Sequence, residues 1–461
     1  MVDYDVIVVG AGLGGSIASA YLAQAGLKTI VFDRADVGGR YEGFKRDGFK
    51  LDKHIHVLIW DISLNEGLGW WAKAARETKA KLKWESMPLN AIWLNGEEVL
   101  LPFCSCGDAF VDFMEKMSGG SFPPESRSNL ANVFDAAMNI PVEDARSDRF
   151  DQRPAIEWLK EITDDPIVEM LLRHFVAMTV VVKDEIALEI GSINSLIGVL
   201  RLFGGRVLFA KLRGEPAEAM PKAFCDVATG HGGQVLTHHT VKNVIVENGK
   251  AKGVVVVGRQ GVEETYRAKY VVNTACYPEM RKLLGANIPK HIDDIITDLY
   301  KSDTVALDVH LGLKKKVLPN LSSQLMLVTD QMEYDGVIAT FTNLDPAWAP
   351  PGKQAINAEL FLSQTEYKTK TVEEWFEHMK EGVFKRWPEV KPEVEWVESF
   401  IVPSASVHQS THAVKRLPLE SGIDGLYFAG DCTVGEGVVS ERAAYSARKV
   451  AKMIISREGK G

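Results

Sequence analysis

The sequence predicts an α/β protein in which a sheet of parallel strands is joined to a second, α+β domain. First, residues 6–9 (Val-Ile-Val-Val) form an apolar, β-branched run that indicates a buried parallel strand. Second, a glycine-rich turn, an alanine-rich stretch with helical spacing and another apolar run at 27–32 complete a strand–helix–strand unit. Third, a chain of 461 residues with 46% hydrophobic and 25% charged residues is an ordinary globular chain, long enough for two or three domains.

The turn after the first strand carries the dinucleotide-binding fingerprint G-x-G-x-x-G of a Rossmann-type domain. Gly10 permits the tight turn, Gly12 lets the backbone approach a pyrophosphate, and Gly15 lets the helix pack closely on the strand. The helix N-terminus presents free N–H groups to phosphates, and Asp33, which ends the second strand, is placed to accept hydrogen bonds from a ribose diol. Because a carboxylate there repels a 2′-phosphate, NADP is disfavoured, whereas NAD and FAD both stay open. The turn residues expected to contact the dinucleotide are Gly10, Gly12, Leu13, Gly14 and Gly15.

Two glycines and an arginine follow the acid, in Arg34-Ala-Asp-Val-Gly38-Gly39-Arg40. This segment resembles the GG-R signature of the FAD-dependent phytoene desaturase and flavin amine oxidase superfamily. The resemblance implies a loop that runs along non-covalently bound FAD, with Arg40 near the phosphates, where glycine allows close approach and arginine supplies forked donors. The acid is Asp rather than the usual Glu, and its spacing to Gly38 is one residue shorter, so this is a divergent member. The residues expected to contact FAD here are Arg34, Gly38, Gly39 and Arg40.

The far end of the chain reads as strand, turn and helix, from Gly425 through Gly430-Asp431 to Ala451. It resembles the second flavin motif of the same superfamily, and its Gly-x-Gly pattern is closer to the carotenoid desaturase branch. The resemblance implies that Asp431 bonds the ribityl chain and that the helix N-terminus points at the O2/N1 edge of the flavin, where its dipole favours negative charge. It also implies that the backbone of Val241 meets the adenine. The residues expected at the flavin end are Gly430, Asp431, Gly437, Val438 and Val439.

The resemblance covers both ends of the chain and a middle block, which implies a discontinuous FAD-binding domain of the glutathione reductase type. We expect this domain to comprise residues 1–65, 206–290 and 415–461. A substrate domain would then comprise residues 66–205 and 291–414. Because the sequence has one dinucleotide fingerprint, we expect the flavin to meet its substrate directly and to be reoxidised by oxygen, a quinone or a partner protein.

The resemblance implies an FAD-dependent oxidoreductase. The first hypothesis is a desaturase that transfers hydride to flavin N5 from a small hydrophobic substrate, which is terpenoid, carotenoid-like or alicyclic. Two alternatives stay open: a double-bond isomerase without net redox change, and an amine oxidase-like enzyme. The amine hypothesis is weakened because residues 431–440 contain no Tyr or Trp to form the paired aromatics of that group. A further hypothesis, from another class, is a non-catalytic FAD-binding escort protein.

The catalytic residue is not identified by the sequence, but three side chains are candidates. His54 and His56 follow Gly48-Phe49, in a segment that the family places near the flavin, and His54 stands where the family has a glycine. They are proton donors beside the flavin or hydrogen-bonded structural histidines. Glu436 precedes the flavin-facing helix, where it is a base or substrate anchor, or a carboxylate that favours the helix start.

Other cysteine and histidine groups favour structural readings, and we expect no metal site. His408 and His412 have helical spacing but no evident third ligand. His238 and His239 are expected in a strand, where neighbours face opposite sides and cannot jointly chelate. Cys432 is interpreted as a small buried side chain rather than a redox group.

Composition limits partners and location. A net charge of −9 disfavours a nucleic-acid binder. Five cysteines, odd in number and sparse, suggest a reducing compartment, and the N-terminus has no signal-peptide pattern, so we expect a cytoplasmic protein. The uncharged stretch 190–200 is either a peripheral membrane contact or a buried core helix.

Overall fold

A computed structural model describes residues 3–53, 59–62, 69–87, 91–94, 97–100, 103–180, 184–275, 277–299, 304–319, 326–327, 336–402 and 412–460. The strands are β1 (Tyr4–Val9), β2 (Thr29–Phe32), β3 (Gly43–Arg46), β4 (Phe49–Asp52), β5 (Ile59–Ile62), β6 (Trp84–Met87), β7 (Ala91–Leu94), β8 (Glu97–Leu100), β9 (Val207–Leu212), β10 (Gln234–Leu236), β11 (Thr240–Glu247), β12 (Lys250–Val257), β13 (Glu263–Asn273), β14 (Thr304–Leu313), β15 (Met326–Leu327), β16 (Gly336–Ala339), β17 (Gln354–Ser363), β18 (Val394–Val402) and β19 (Leu426–Phe428).

The helices are α1 (Leu13–Gln24), α2 (Trp70–Thr78), α3 (Gly107–Ser118), α4 (Pro124–Asn139), α5 (Val142–Ala145), α6 (Asp148–Asp151), α7 (Ala155–Lys160), α8 (Pro166–Val180), α9 (Ala187–Ile190), α10 (Ile193–Phe203), α11 (Ala219–Gly230), α12 (Tyr277–Leu284), α13 (Lys290–Leu299), α14 (Phe341–Leu344), α15 (Gln364–Tyr367), α16 (Val372–Arg386) and α17 (Ser440–Arg457).

The first sheet is the predicted parallel sheet with an antiparallel extension. Strands β10, β2, β1, β13 and β19 pair in parallel, and β12 and β11 continue the sheet from the first half of β13. Val6 and Val8 pack with α1, α11 and α17, whereas Ile7 and Val9 pack with β11, β12 and α12. Because both faces of β1 are covered, its sequence is continuously apolar. The predicted α/β fold with a Rossmann-type parallel sheet is confirmed.

The second sheet is antiparallel, in the order β15-β16-β17-β14-β18. Alternate residues of β14, such as Leu307 and Val309, pack against Trp375 and Met379 of α16. On the opposite face of β14, the buried His310 lies with its Nε2 atom 3.3 Å from the carbonyl oxygen of Lys53. This sheet therefore contacts the segment that follows β4, and with its helix it forms the α+β part of the molecule.

A separate apolar core unites helices α3, α4, α7, α8 and α10. The uncharged stretch 190–200 falls mostly in α10, whose Ile193, Leu196 and Leu200 side chains are fully buried there. The core-helix interpretation of this stretch therefore matches its burial. Among the helices that the structure describes, none combines the length and hydropathy needed to cross a bilayer.

The first sheet draws its strands from 4–32, 234–273 and 426–428, and the second draws them from 304–402. A small sheet joins β9 to β5 and β6, so it links residues on both sides of the predicted boundaries at 65 and 206. The domain limits given above stay a prediction.

Candidate functional site

The turn between β1 and α1 is built from glycines that serve different purposes. Gly10 has a φ angle of +100°, a conformation in which side chains are strained. A Cβ atom on Gly15 would lie 1.9 Å from the carbonyl oxygen of Gly10, so α1 packs against the strand end only without that atom. A Cβ atom on Gly12 would meet its nearest neighbour, Gly39 Cα, at 3.8 Å, which is ordinary contact. Gly15 is therefore required by the fold, whereas Gly12 leaves space in front of the helix.

Asp33 ends β2 with its carboxylate at this turn. Its Oδ2 atom accepts a hydrogen bond from the Ala11 amide at 2.6 Å, and its Oδ1 atom accepts one from the Ala35 amide at 2.8 Å. Burial raises the pKa of Asp33, although both amide bonds and Arg34 act in the opposite direction. The acid thus links the glycine turn to the next loop.

The loop with Gly38 and Gly39 packs directly on the start of α1. Gly12 and Gly38 form an isolated parallel bridge, and the Gly38 amide donates to the Ala11 carbonyl at 3.2 Å. A Cβ atom on Gly39, whose φ angle is +59°, would lie 3.0 Å from Gly12 Cα. The double glycine therefore lets two backbone segments approach each other beside the helix N-terminus.

The second motif completes the site from the other end of the sequence. After β19, Gly430 adopts a φ angle of +128°, and a Cβ atom on Gly14 would lie 3.2 Å from Gly430 Cα. Asp431 is 3% exposed and forms an ion pair with Arg40 through its Oδ1 atom. A backbone contact thus joins the last motif to the first, and an ion pair joins it to the loop with Gly38 and Gly39.

The helix of the second motif begins at Ser440, one to three residues later than predicted. The residues expected at its start form the preceding turn, in which Gly437 and Val439 have positive φ angles of +81° and +49°. A β-branched residue rarely adopts that conformation, so Val439 is a strained position at the entrance of α17.

These segments line a cavity of about 450 Å³, within the range of small-molecule sites. The predicted contacts that line it are Gly10, Gly12, Leu13, Gly14, Asp33, Arg34, Gly39, Arg40, Val241, Gly430, Asp431 and Val439. The predicted contacts Gly15, Gly38, Gly437 and Val438 are not in its wall. The wall also includes residues that the sequence did not predict as cofactor contacts: Tyr41, His239, Thr274, Glu279 and Ser440.

Most of the lining residues that were not predicted lie next to a motif or strand that the sequence does indicate. Tyr41 follows the GG-R arginine directly, Ser440 is the first residue of the helix that follows Asp431, and Thr274 follows β13. Burial raises the pKa of Tyr41, so its hydroxyl stays protonated as a donor. The signal for these residues is their place next to a recognised motif.

The cavity fits a dinucleotide such as FAD. Its glycine-lined end lies at the N-terminus of α1, as a pyrophosphate requires. Beside this turn the Oδ2 atom of Asp431 is buried, and within the described residues no hydrogen-bond donor reaches it. A buried carboxylate oxygen facing a cavity calls for a donor from a ligand, and the hydroxyl groups of a ribityl chain supply donors. Arg40 adds a cation to the same wall.

The candidate catalytic residues are not gathered in this cavity. Glu436 accepts a hydrogen bond from the indole Nε1 of Trp70 at 3.2 Å, and it is not among the cavity-lining residues. Its described contact therefore ties the turn before α17 to the start of α2. His54 and His56 lie outside the described residues.

Three further expectations can be compared with the structure. His238 and His239 lie between β10 and β11 rather than in a strand, because His238 has a φ angle of +57°. The strand assignment was wrong, and His239 lines the cavity. Cys432 is half-buried: it packs against the core that contains Tyr277, and it also lines the cavity.

His412 is buried and its Nε2 atom lies 3.0 Å from the Val180 carbonyl oxygen, while its candidate metal partner His408 is outside the described residues. Burial lowers the pKa of His412 to about 4, so the ring is neutral at neutral pH and donates to that carbonyl. In the part of the chain that the structure describes, no group of three or more His, Cys, Asp or Glu side chains could hold a metal ion.

Comparison with known proteins gives a consistent picture. The model of the flavin containing amine oxidoreductase family matches residues 13–455. Prolycopene isomerase of Daucus carota is 25% identical over 95% of this chain and 78% of its own length. All-trans-retinol 13,14-reductase of Macaca fascicularis is 23% identical over 61% of this chain and 51% of its own. An oxidoreductase structure from Methanosarcina mazei has a TM-score of 0.71 at 19% identity, over 97% of this chain and 100% of that one, which shows a shared fold.

Proposed function

Since this chain belongs to the flavin-containing amine oxidoreductase family and is an FAD-dependent oxidoreductase, we propose that it desaturates a hydrophobic, terpenoid or carotenoid-like substrate. In such a reaction one C–H bond gives up a hydride, the neighbouring C–H bond gives up a proton to a base or water, and a C=C bond forms. When bound, FAD supplies the hydride acceptor at its N5 atom. The observation that carries the flavin chemistry is the glycine-lined cavity that joins Asp33 to Asp431.

The substrate class rests on the relatives and on the flavin-side turn. Two relatives bear the names of a carotenoid isomerase and a retinol reductase, and the first aligns over 95% of this chain. The turn from Asp431 to Ser440 contains no Tyr or Trp. Amine oxidases commonly frame the flavin with paired aromatic side chains, so this turn favours an apolar substrate over an amine.

The chain's own residues favour negative charge at the Asp431 end of the cavity. Helix α17 has 18 residues, and its N-terminus lies at the cavity through Val439 and Ser440. The unsatisfied amides of its first turn carry positive partial charge. Arg40 lies in the same wall, where its ion pair with Asp431 balances the charge of that carboxylate. The helix N-terminus therefore stabilises the negative charge that a hydride acceptor gains.

A second candidate function is double-bond isomerisation without net oxidation. Prolycopene isomerase, which aligns over most of both chains, is an isomerase by name, and this favours the second candidate. The same apolar substrate class serves both reactions, and the difference is whether electrons stay on the cofactor. For the desaturase, the electron acceptor that completes the cycle would be oxygen, a quinone or a partner protein, because the sequence carries one dinucleotide fingerprint.

Anaerobic mixing of the purified FAD-loaded protein with single substrates separates these reactions. The panel contains poly-cis and all-trans carotenes, a retinoid, and a primary amine, and the FAD-free protein is the control. Loss of the visible flavin absorption with a carotene, together with a product two hydrogens lighter, supports desaturation. An unchanged flavin spectrum with a product of equal mass and altered double-bond geometry supports isomerisation. Bleaching by the amine and by no polyene would contradict the proposed substrate class.

A further inference from the structure

A buried charge cluster lies behind the cavity wall. The side chains of Asp151, Arg416 and Arg442 are each 0% exposed. Arg416 donates from Nε to Asp151 Oδ2 at 2.7 Å and from Nη2 to Asp151 Oδ1 at 3.3 Å, and Arg442 donates from Nη2 to the same Oδ1 atom. Two guanidinium groups thus contact one carboxylate away from water.

The cluster lies one backbone layer from the space that the cofactor fills. Leu417 and Ala443 line the cavity, and each is the chain neighbour of one of the two arginines. Arg442 Nη1 also lies 3.4 Å from the carbonyl oxygen of Asp431, a residue that lines the cavity. The positive charges of both arginines therefore contribute to the electrostatic potential inside the cavity.

The surrounding titratable groups leave both arginines charged. Burial disfavours the charge of Arg416, but Asp151 and Tyr277 raise its pKa overall. Burial and Arg416 lower the pKa of Arg442, yet a guanidinium stays protonated in proteins. His412, whose carbonyl accepts from Arg416 Nη2 at 2.7 Å, has a neutral ring at neutral pH.

The carboxylates of Asp148 and Asp431 face the cluster from outside it. Asp148 accepts a hydrogen bond from the Gly435 amide at 2.9 Å; burial raises its pKa, while Arg442 and Arg416 act in the opposite direction. Asp431, in the cavity wall, favours the charged form of Arg442. These carboxylates offset part of the positive charge, but they hold fixed positions, so a change of one charge in the cluster still changes the potential in the cavity.

Stability alone does not explain such a cluster. Replacing buried ion networks by apolar side chains of similar volume is often neutral or stabilising. We propose that Arg416 and Arg442 set the reduction potential of the bound FAD by favouring the negative charge gained on reduction, and that Asp151 positions them and offsets part of their charge. This proposal concerns the cofactor and does not depend on which substrate is oxidised.

The test measures the flavin reduction potential by equilibration with reference dyes in the FAD-loaded protein. Arg416→Met and Arg442→Met each remove a positive charge and should lower the potential. Asp151→Asn removes a negative charge and should raise it. A unit charge behind one protein layer should change the ratio of reduced to oxidised flavin about tenfold at a fixed dye potential. Arg416→Lys keeps the charge and should leave the ratio within about threefold of the parent.

Arg201→Met is the matched control, because Arg201 is equally buried but donates to the Ile140 carbonyl at 2.9 Å within the helical core. It should lower the unfolding temperature and leave the potential unchanged. If Arg416→Met, Arg442→Met and Asp151→Asn all lose FAD, the proposal is tested with Asp148→Asn, which changes a half-buried carboxylate at the edge of the cluster. This variant should raise the reduction potential. Shifts of the same sign for Arg416→Met and Asp151→Asn, shifts no larger than that of the control, or an unchanged potential in Asp148→Asn would overturn the proposal.

Discussion

Alanine substitutions at Gly12 and Gly15 should have separate effects, although both glycines lie in one turn: Gly15→Ala should reduce stability, and Gly12→Ala should reduce FAD affinity. The Cβ atom at Gly15 would lie 1.9 Å from the Gly10 carbonyl oxygen, about 1.5 Å short of the 3.4 Å at which ordinary contact begins. The obstacle is backbone at the end of a central strand, so α1 must move away from β1. We expect Gly15→Ala to destabilise the FAD-free protein by about 1–3 kcal/mol or more, as overpacking does.

Gly12→Ala should behave in the opposite way. Its φ angle of −71° is open to any residue, and its added Cβ atom would meet the loop at 3.8 Å. The change affects a helix N-cap position, so the FAD-free protein should lose less than about 1 kcal/mol. The methyl group would, however, stand where the backbone approaches the pyrophosphate. We expect FAD affinity to fall at least about tenfold, which corresponds to about 1.4 kcal/mol.

Urea unfolding of both FAD-free variants, followed by tryptophan fluorescence, measures the free energy of unfolding. Titration with FAD, followed by the quenching of flavin fluorescence, measures the affinity for FAD. The parent protein and Gly120→Ala, a substitution at an exposed glycine without a positive φ angle and with nothing within 4 Å of its added Cβ, are the controls. The reasoning is refuted if Gly15→Ala leaves the FAD-free protein as stable as the parent, or if Gly12→Ala binds FAD as tightly as the parent.

Further predictions concern charge. Asp431→Asn should weaken FAD binding about tenfold, because its unsatisfied acceptor atom faces the cavity. Because Asp431 and Arg40 form an ion pair, the double variant with Arg40→Met should lose less binding free energy than the sum of the two single variants. Isothermal titration of the single and double variants measures both effects. Glu279→Gln should weaken FAD binding less than about fivefold, since its 3.4 Å pair with Arg34 is exposed; a larger loss would mean a direct contact with the cofactor. Because His412 binds its proton at about pH 4 in the fold and near 6.5 when unfolded, stability should fall as pH drops from 6.5 to 4, and melting curves of His412→Gln should lack this slope.

The sequence predicts the nucleotide-binding turn well because its signals are local. Strand, turn and helix follow each other over residues 4–24, and the glycines act on their immediate neighbours. The same holds for the strand and turn around Gly430 and Asp431. The exact helix start was missed by a few residues because Val439 takes a strained conformation that no propensity indicates.

Features that depend on distant partners were beyond the sequence. Arg416 and Arg442 read as ordinary charged residues, yet both meet a carboxylate more than 260 positions away. Glu436 lies next to the flavin-facing helix in sequence, but its side chain turns to Trp70, 366 positions earlier. Proximity along the chain places a backbone near a site without saying which way the side chain points.

The contact between Gly14 and Gly430 has a consequence for how the protein is made. The first half of the cofactor site leaves the ribosome early, whereas its other wall is synthesised only after the helical core and the second sheet. During translation the early turn therefore has an open side, and FAD can be enclosed only when nearly the whole chain is available. Cofactor capture should thus be a late event in biogenesis, and the bound cofactor would then hold α1 and α17 together.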